Sequence, residues 1–423
     1  MKMRIIDKLH NWYYPVVLLS YVLALFFSAI RPGVVSAVFV CLVAAEVVIG
    51  LHKSKTTAVG FGLHKDVRET TGQETGGLHK LQTEDLVLAI WLIYNVLSGI
   101  WCVAFGMPLS VYTGELFTTA LPMIFYCCAR SDSSSKLFSK LYLFSVALIG
   151  VIGIVLFITG PEFYLDYLMD LELISKADIP TMRVRMHSVI GSTLMGFLPS
   201  VGMLVSVRTF VDSKEKKGKT LSILSFIFML FLAFMSNQRA AMAAAIFILI
   251  YINFLVFFTF RLCPKKYFLG EMAAALAGII GFFAVFNDAF MKVYYRLVSL
   301  PGSIAQRSDQ WVGAANNMKS IWLGNGLGAN GHRAIGITEH LIADGGIAKL
   351  YVESGIVGTS LFIFLLLLIF RKGFGKLKNT APEMGILMVT LLMSVGSNMM
   401  SFALSVPVFY YYMGRAVKER GEE

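Results

Sequence analysis

The chain has 423 residues, of which 57% are hydrophobic and only 15% are charged, and its mean hydropathy is +0.70. Soluble domains carry about 25% charged residues, so this composition excludes an ordinary soluble protein and indicates one that crosses a membrane many times. The net charge of +11 does not indicate nucleic-acid binding, because membrane proteins gather Lys and Arg in their cytoplasmic loops. We therefore expect contact with membrane lipids and no nucleic-acid partner.

Long apolar segments recur along the whole sequence. A helix needs roughly 20 mostly apolar residues to cross the hydrocarbon core of a bilayer. The pattern predicts a single all-α polytopic membrane domain over residues 1–423, with about 12 transmembrane helices and two long periplasmic loops. The predicted spans lie near 12–31, 33–52, 86–106, 114–129, 141–160, 188–207, 221–237, 240–260, 267–287, 346–370, 385–401 and 403–414.

The distribution of Lys and Arg predicts the orientation. With the N-terminus inside, the cytoplasmic segments hold 26 of the 37 Lys and Arg residues. Basic residues favour the cytoplasmic side, so both termini are predicted to lie there. The polar segment 53–85, rich in glycine and threonine, is predicted to be a flexible cytoplasmic loop.

The first long periplasmic loop, 161–187, carries acids at a regular spacing. Glu162, Asp166 and Asp170 recur every four residues, with leucines and aromatic residues between them. This spacing predicts an amphipathic helix that lies on the membrane surface with its acids toward water.

A lone arginine lies between two strongly apolar runs, in the sequence SNQRAAM. Arg239 either extends to the outer headgroups or faces a polar cavity that binds an anion. Its three preceding residues, Ser236, Asn237 and Gln238, are all polar, which favours the cavity.

The second long periplasmic loop, 288–345, holds most of the polar chemistry. Residues 307–344 contain two arginines, two histidines and three carboxylates between long apolar segments. The run GNGLGANG within it is predicted to be a tight turn, because glycine adopts positive φ at little cost. We expect this loop to be the catalytic one.

Arginines gather on the predicted outer side, where a guanidinium can bind two phosphate oxygens at once. Because that face has no ATP, an enzyme there needs an activated membrane substrate, and a polyprenyl-diphosphate sugar is the natural candidate. The arginines would stabilise the departing diphosphate, and a nearby base would deprotonate the acceptor hydroxyl. The outer arginines are Arg183, Arg185, Arg239, Arg296, Arg307 and Arg333, and the candidate bases are Asp344, His340, His332 and Glu339.

Four local patterns resemble the O-antigen polymerase and O-antigen ligase superfamily of bacterial envelope glycosyltransferases. They are RMHSVIGSTLMG from Arg185, SNQRAAM around Arg239, RSDQWVGAANNMKSIWLGNGLG from Arg307, and ADGGIAKLYVESGIVGTSLF around Asp344. The predicted spans and the two long loops are similar to that family along the whole chain, whereas motif similarity covers only these four segments.

The resemblance implies a GT-C-like, metal-independent glycosyltransferase without a cofactor, in the bacterial inner membrane with a periplasmic active site. Its substrates would be undecaprenyl-diphosphate-linked glycans, and its partner a polysaccharide chain-length regulator. The resemblance assigns catalytic roles to Asp344, His340 and Arg239. It assigns binding of the diphosphate or orientation of the lipid-linked donor to Arg185, Arg239 and Arg307. Their place on the outer face makes Arg183, Arg333 and His332 further candidates for binding the diphosphate or glycan.

The resemblance also separates polymerase from ligase. Ligases carry a histidine eleven residues before the first glycine of their Gly-x-x-Gly motif, and here the matching residue, counted back from Gly355, is Asp344. His340 lies one helical turn away. This difference favours a polymerase, with Asp344 ahead of His340 as the base, and keeps a ligase that transfers polymer to lipid A-core as an alternative.

A polysaccharide flippase or another transporter is the other alternative. Transporters usually bind near the bilayer midplane and show related halves. No internal repeat is evident, and few charges are expected deep in the spans, since Glu46 and Glu115 lie near predicted helix ends. The concentration of polar residues in one outer loop favours an enzyme.

Overall fold

The computed structural model describes residues 13–27, 30–38, 40–42, 82–130, 135–170, 185–261 and 300–418, with the single residues 270, 273 and 277. In that part of the chain every regular element is helical. The helices are α1 (Tyr14–Ala24), α2 (Thr83–Ala104), α3 (Leu109–Glu115), α4 (Ile124–Arg130), α5 (Ser135–Thr159), α6 (Glu162–Asp170), α7 (Ser192–Asp212), α8 (Lys216–Met235), α9 (Arg239–Phe254), α10 (Leu300–Asn316), α11 (Gly346–Gly375), α12 (Leu377–Gly396) and α13 (Val406–Val417).

Six of these helices are long and apolar enough to cross a membrane. They are α2, α7, α8, α11, the part of α5 at Leu137–Thr159, and α9 with the π-helical turn that extends it to Thr259. They coincide with six predicted spans, and they make the chain an α-helical protein built to cross a membrane. The predicted span at 267–287 lies outside the described residues apart from three single positions, and the total of about 12 stays a prediction.

Three other predicted spans have a different form in the structure. The segment 114–129 is not one helix, because α3 is followed by a π-helical turn, a 3-10 turn at Leu121–Met123 and then α4. Pro122 lies in the 3-10 turn, and proline has no N–H for the helical hydrogen bond. Helix α12 begins at Leu377, earlier than predicted, and α13 lies three residues later than the predicted span 403–414, with all 12 of its residues buried.

Helix α7 lies at the centre of the bundle. Most of its side chains are buried, and it packs against α5, α8, α9 and α12. Helix α11 packs against α2 and α12, and α13 packs against α4. By contrast, α2, α5 and α8 expose large apolar side chains such as Ile100, Phe144 and Leu221. These exposed faces are the surfaces that a bilayer would cover.

Ion pairs close one end of the bundle, which we call the basic end. Lys372 lies 2.5 Å from Glu84, linking α11 to α2. Arg208 of α7 and Arg415 of α13 each lie 3.7 Å from Glu383 of α12.

The long connections meet at the opposite end, which we call the loop end, and which consists of residues 185–191, 236–238, 317–345 and 397–405. There the amide of Met186 donates to the carbonyl of Met235 at 3.1 Å, and the amide of Gly346 donates to the carbonyl of Ser397 at 3.1 Å. Backbone hydrogen bonds therefore join the connections to one another.

The first long loop begins with helix α6, where the acidic spacing predicts a helix. Its acids, Glu162, Asp166 and Asp170, are all exposed. The Tyr164 hydroxyl donates to the carbonyl of Ser188 at 2.6 Å and holds the helix against the loop end. Residues 171–184, most of the loop 53–85 and residues 288–299 lie outside the described part of the chain, and with them Arg183 and Arg296.

Candidate functional site

Helix α11 is broken at Gly355, in the middle of the fourth motif. This residue has φ 62° and ψ −168°, a conformation open almost only to glycine. The two amides that follow therefore donate outside their own helix. Ile356 donates to the carbonyl of Ile321 at 3.0 Å, and Val357 donates to the carbonyl of Trp322 at 3.1 Å.

The glycine run of the large loop supplies donors for the two helix carbonyls that the break leaves without their usual partners. The amides of Asn325 and Gly326 donate to the carbonyls of Val352 and Glu353, both at 2.9 Å. These two carbonyls would have accepted from the amides that the break redirects. The run forms the predicted turn, with positive φ at its alternate glycines, and it lies along α11. The large loop is thereby fixed to the helix that carries the fourth motif.

Arg307 and Asp344 join the third and fourth motifs. Nη2 of Arg307 lies 2.8 Å from Oδ2 of Asp344, and Nε1 of Trp311 donates to the carbonyl of Asp344 at 2.6 Å. Gly345 has φ 122°, and a Cβ there would overlap Nε1 of Trp311. Only glycine therefore allows α10 to approach the start of α11 this closely.

Arg239 brings the first and second motifs to the same place. It is the first residue of α9, and the preceding Gln238 donates from Nε2 to Oγ of Ser192 at 2.6 Å. That bond ties the turn between α8 and α9 to the start of α7. The positive charges of Arg185 and Arg307 both act on the Arg239 guanidinium. We call Arg185, Arg239 and Arg307 the arginine cluster.

The arginine cluster brings three guanidinium groups together with the Asp344 carboxylate. The Asp344 carboxylate pairs with Arg307 and neutralises one of the three charges. In addition, Nε of Arg185 is buried without a hydrogen-bond partner in the described part of the chain. A buried donor without a partner is costly unless water or a ligand meets it. Guanidinium groups that lie close together, one of them with an unmet donor, suit an oxyanion such as a phosphate group.

His332 lies beside this cluster, at the start of a 3-10 turn. Its ring stacks on Phe402 with 6.4 Å between ring centres. The pKa of His332 is lowered, chiefly because neighbouring atoms desolvate the ring and secondly by the positive charge of Lys349, although Asp344 and Glu115 act in the opposite direction. His332 is therefore neutral at pH 7 and able to accept a proton.

His340 forms hydrogen bonds within the loop through its backbone amide and carbonyl. Its carbonyl accepts a hydrogen bond from Nδ2 of Asn330 at 2.7 Å, and its amide donates to Oγ1 of Thr338 at 3.2 Å. Of the predicted bases, Asp344 pairs with Arg307 and His332 lies within range of Asp344. His332 is both a candidate base and a candidate binding residue by sequence, and the structure brings it within range of Asp344.

Next to the loop lies a group of charges that sequence analysis missed. Nζ of Lys349 lies 2.5 Å from Oε1 of Glu115, 3.7 Å from Oε2 of Glu353, and donates to Oγ of Ser401 at 2.7 Å. All three charged side chains are at most 5% exposed. We call Glu115, Lys349 and Glu353 the buried charge cluster. Glu115 is the last residue of α3, and Lys349 and Glu353 lie in the first two turns of α11, so these buried charges are near helix ends.

The buried charge cluster also contacts the large loop. Oε2 of Glu115 lies 3.5 Å from Nε of Arg333, and Oε1 of Glu353 accepts from the amide of Asn330 at 3.1 Å. A small cavity of about 50 Å³ lies beside Lys349, Glu353 and polar groups of neighbouring helices. A signal for part of this cluster exists in the sequence, since Lys349 and Glu353 are four residues apart in an otherwise apolar helix.

The site therefore has two connected parts, an arginine cluster and a buried charge cluster, with His332 within electrostatic range of both Asp344 and Lys349. Among the residues that the structure describes, no group of three or more His, Cys, Asp or Glu is placed to hold a metal ion. No protein-family model and no curated protein sequence matches the chain.

Proposed function

We propose that the chain is a glycosyltransferase that polymerises polyprenyl-diphosphate-linked oligosaccharide repeats at the outer face of a bacterial inner membrane. The convergence of the arginine cluster beside Asp344 carries this proposal. Each of the four segments that resemble O-antigen polymerases supplies one of these residues. Segments far apart in sequence thus contribute to one place, as a shared binding site requires.

The ligand of the arginine cluster would be the diphosphate of the donor. Guanidinium groups bind phosphate oxygens in pairs, and negative charge grows on the diphosphate as the glycosidic bond breaks. Groups already aimed at that charge stabilise the transition state more than the ground state. Arg185, Arg239 and Arg307 would therefore accelerate the departure of undecaprenyl diphosphate as well as bind it.

The reaction joins two lipid-linked glycans. The growing chain is the donor, and a single new repeat is the acceptor. The acceptor hydroxyl oxygen forms a bond to the anomeric carbon of the donor, and the bond from that carbon to the diphosphate oxygen breaks. The hydroxyl proton passes to a base of the protein. Undecaprenyl diphosphate leaves with the bonding electrons, so the reaction needs neither a nucleotide sugar nor ATP.

We assign the base to Asp344, with His332 as the nearest competitor and His340 after it. The Asp344 carboxylate pairs with Arg307, and its side chain is 44% exposed. An incoming diphosphate would compete for the Arg307 guanidinium and leave the Asp344 carboxylate available for the acceptor proton. His332 is neutral at pH 7 and within range of Asp344, so it can take the same proton or pass it on.

The surface glycans of cells that lack this protein test the proposal. We expect a gel to show single repeats in place of a ladder, and the ladder to return when the gene is restored. Loss of all attached repeats, with long polymer accumulating on undecaprenyl diphosphate, would instead indicate a ligase.

The buried charge cluster favours a second candidate, a polysaccharide flippase. Charged side chains inside membrane helices often belong to transport pathways, and Lys349 and Glu353 lie within α11, a helix long enough to span. A flippase predicts that unpolymerised repeats accumulate on the cytoplasmic leaflet when the protein is missing. The polymerase predicts that they accumulate on the periplasmic leaflet.

A further inference from the structure

We infer that Glu115 is a positioning residue, which links the buried Lys349–Glu353 pair to Arg333 and holds the Arg333 guanidinium in place for an anionic ligand. The identity of that ligand, a polyprenyl diphosphate, rests on the proposed function. The contacts of Glu115 do not depend on the identity of the ligand.

The Glu115 carboxylate contacts two cations, one with each oxygen. Oε1 lies 2.5 Å from Nζ of Lys349, and Oε2 lies 3.5 Å from Nε of Arg333. Lys349 is 3% exposed, whereas Arg333 is 37% exposed. Glu115 thus connects a cation in the protein interior to a cation at the surface. The contact uses Nε of Arg333. Among the residues that the structure describes, neither terminal nitrogen has a hydrogen-bond partner, so the fork that binds oxyanions remains for a ligand.

The charges of the cluster explain why Arg333 stays there. The Glu115 carboxylate is shared between Lys349 and Arg333, and Glu353 lies 3.7 Å from Lys349. A buried charge without a partner is strongly destabilising. Arg333 adds a second positive charge beside Glu115 at the mouth of the cluster, and the attraction between the two holds the guanidinium.

The backbone is shaped to admit this arrangement. A Cβ at Gly114 would lie 2.8 Å from Nη1 of Arg333, and a Cβ at Gly331 would lie 2.8 Å from Nζ of Lys349. The amide of Asn330 also donates to Glu353 at 3.1 Å. The loop around Arg333 therefore packs directly against the buried charge cluster.

The variant Glu115→Gln tests the inference because a positioning role and a pure charge effect change anion binding in opposite directions. The amide oxygen of the new glutamine side chain can still accept from Lys349, and Lys349 still has Glu353 as its counter-charge, so we expect the variant to fold. Removing a negative charge near an anion site strengthens anion binding if only the net charge matters. A positioning role predicts the opposite, because a released Arg333 binds the anion less well.

The experiment measures binding of undecaprenyl diphosphate to the purified full-length protein in detergent. We expect Glu115→Gln and Arg333→Gln each to weaken binding about tenfold, as for one lost charge-assisted hydrogen bond. The double variant should bind no worse than Arg333→Gln alone, because Glu115 acts through Arg333. Glu162→Gln, which removes an exposed carboxylate of α6, should leave binding unchanged.

Gly114→Ala provides a version of the test that changes no charge. Its methyl group must displace the flexible end of Arg333, so we expect weaker binding with an unchanged unfolding temperature. Unchanged or tighter binding by a folded Glu115→Gln protein overturns the positioning role, and the proposed function survives if Arg239→Ala still loses binding. A wild-type protein that does not bind undecaprenyl diphosphate overturns both.

Discussion

The carboxylate of Asp344 lies 2.8 Å from the Arg307 guanidinium and joins helix α10 to the start of helix α11. The two side chains are 44% and 34% exposed, and exposed ion pairs of this kind contribute only about 0–1 kcal/mol to stability. The side chains of Trp311 and Asn398 donate hydrogen bonds to backbone carbonyls of residues 342–344 and already hold this segment in place. The pair therefore contributes little to folding, and under the proposed function its role is catalytic.

Replacement of Asp344 by Asn should separate these two roles. We expect the unfolding free energy to change by at most about 1 kcal/mol. We expect the rate of polymerisation to fall by about 10²–10⁴, the usual contribution of a general base. The two quantities can be measured by unfolding in detergent and by polymer yield. Asp344 would lose its role as base to His332 if this variant polymerised normally and His332→Gln did not.

Lys349→Met should be among the most destabilising single substitutions in the protein. It removes the buried cation that both Glu115 and Glu353 contact, a change that costs about 3–5 kcal/mol. Unfolding in detergent measures this loss. Adding Glu115→Gln and Glu353→Gln removes the unbalanced charges and should recover much of the stability. A triple variant no more stable than Lys349→Met would show that packing, rather than charge, is what Lys349 provides.

Gly355→Ala should disrupt the junction between α11 and the large loop. A Cβ at Gly355 would overlap backbone atoms of Gly324 and Trp322, and the conformation alone costs about 1–3 kcal/mol for a residue other than glycine. Gly375→Ala is the matched control, because a Cβ there meets nothing within 4 Å. We expect a lower unfolding temperature for Gly355→Ala only, and equal temperatures would contradict the junction described above.

His332 should make stability depend on pH below neutrality. Its pKa is lower in the folded protein than the ordinary value of 6.5, so the unfolded chain binds more protons as the pH falls through that value. Stability then decreases with acidification, and above the ordinary value this contribution no longer changes. Unfolding measured from about pH 7.5 to about pH 5 should show a shallower decline in His332→Gln than in wild type. An identical decline in the two proteins would argue against the lowered pKa.

The long helices and the polar site at Arg239 could be predicted from sequence for a common reason. A run of apolar residues is a local signal, and so is a charge that interrupts it. Arg239 lies between two such runs, which predicted a polar site at the turn between α8 and α9. The structure indeed brings its guanidinium within range of Arg185 and Arg307.

The buried charge cluster could not be predicted in the same way. Glu115 and Lys349 are 234 residues apart in sequence, and nothing local indicates that they meet. The break at Gly355 escaped prediction for a related reason, since its hydrogen-bond partners lie in the loop at Ile321 and Trp322. Helix α13 was predicted as a short span because its residues are apolar, but burial within the protein gives the same pattern as contact with lipid.

The most direct test of the central claim is the glycan ladder of cells whose gene is replaced by the Arg239→Ala variant. Lys217→Ala, which removes an exposed basic residue at the start of α8, is the control, and the amount of folded protein in the membrane is measured for both. We predict that Arg239→Ala leaves single repeats only, while Lys217→Ala gives the full ladder. A full ladder from Arg239→Ala would contradict the role of the arginine cluster in binding the diphosphate.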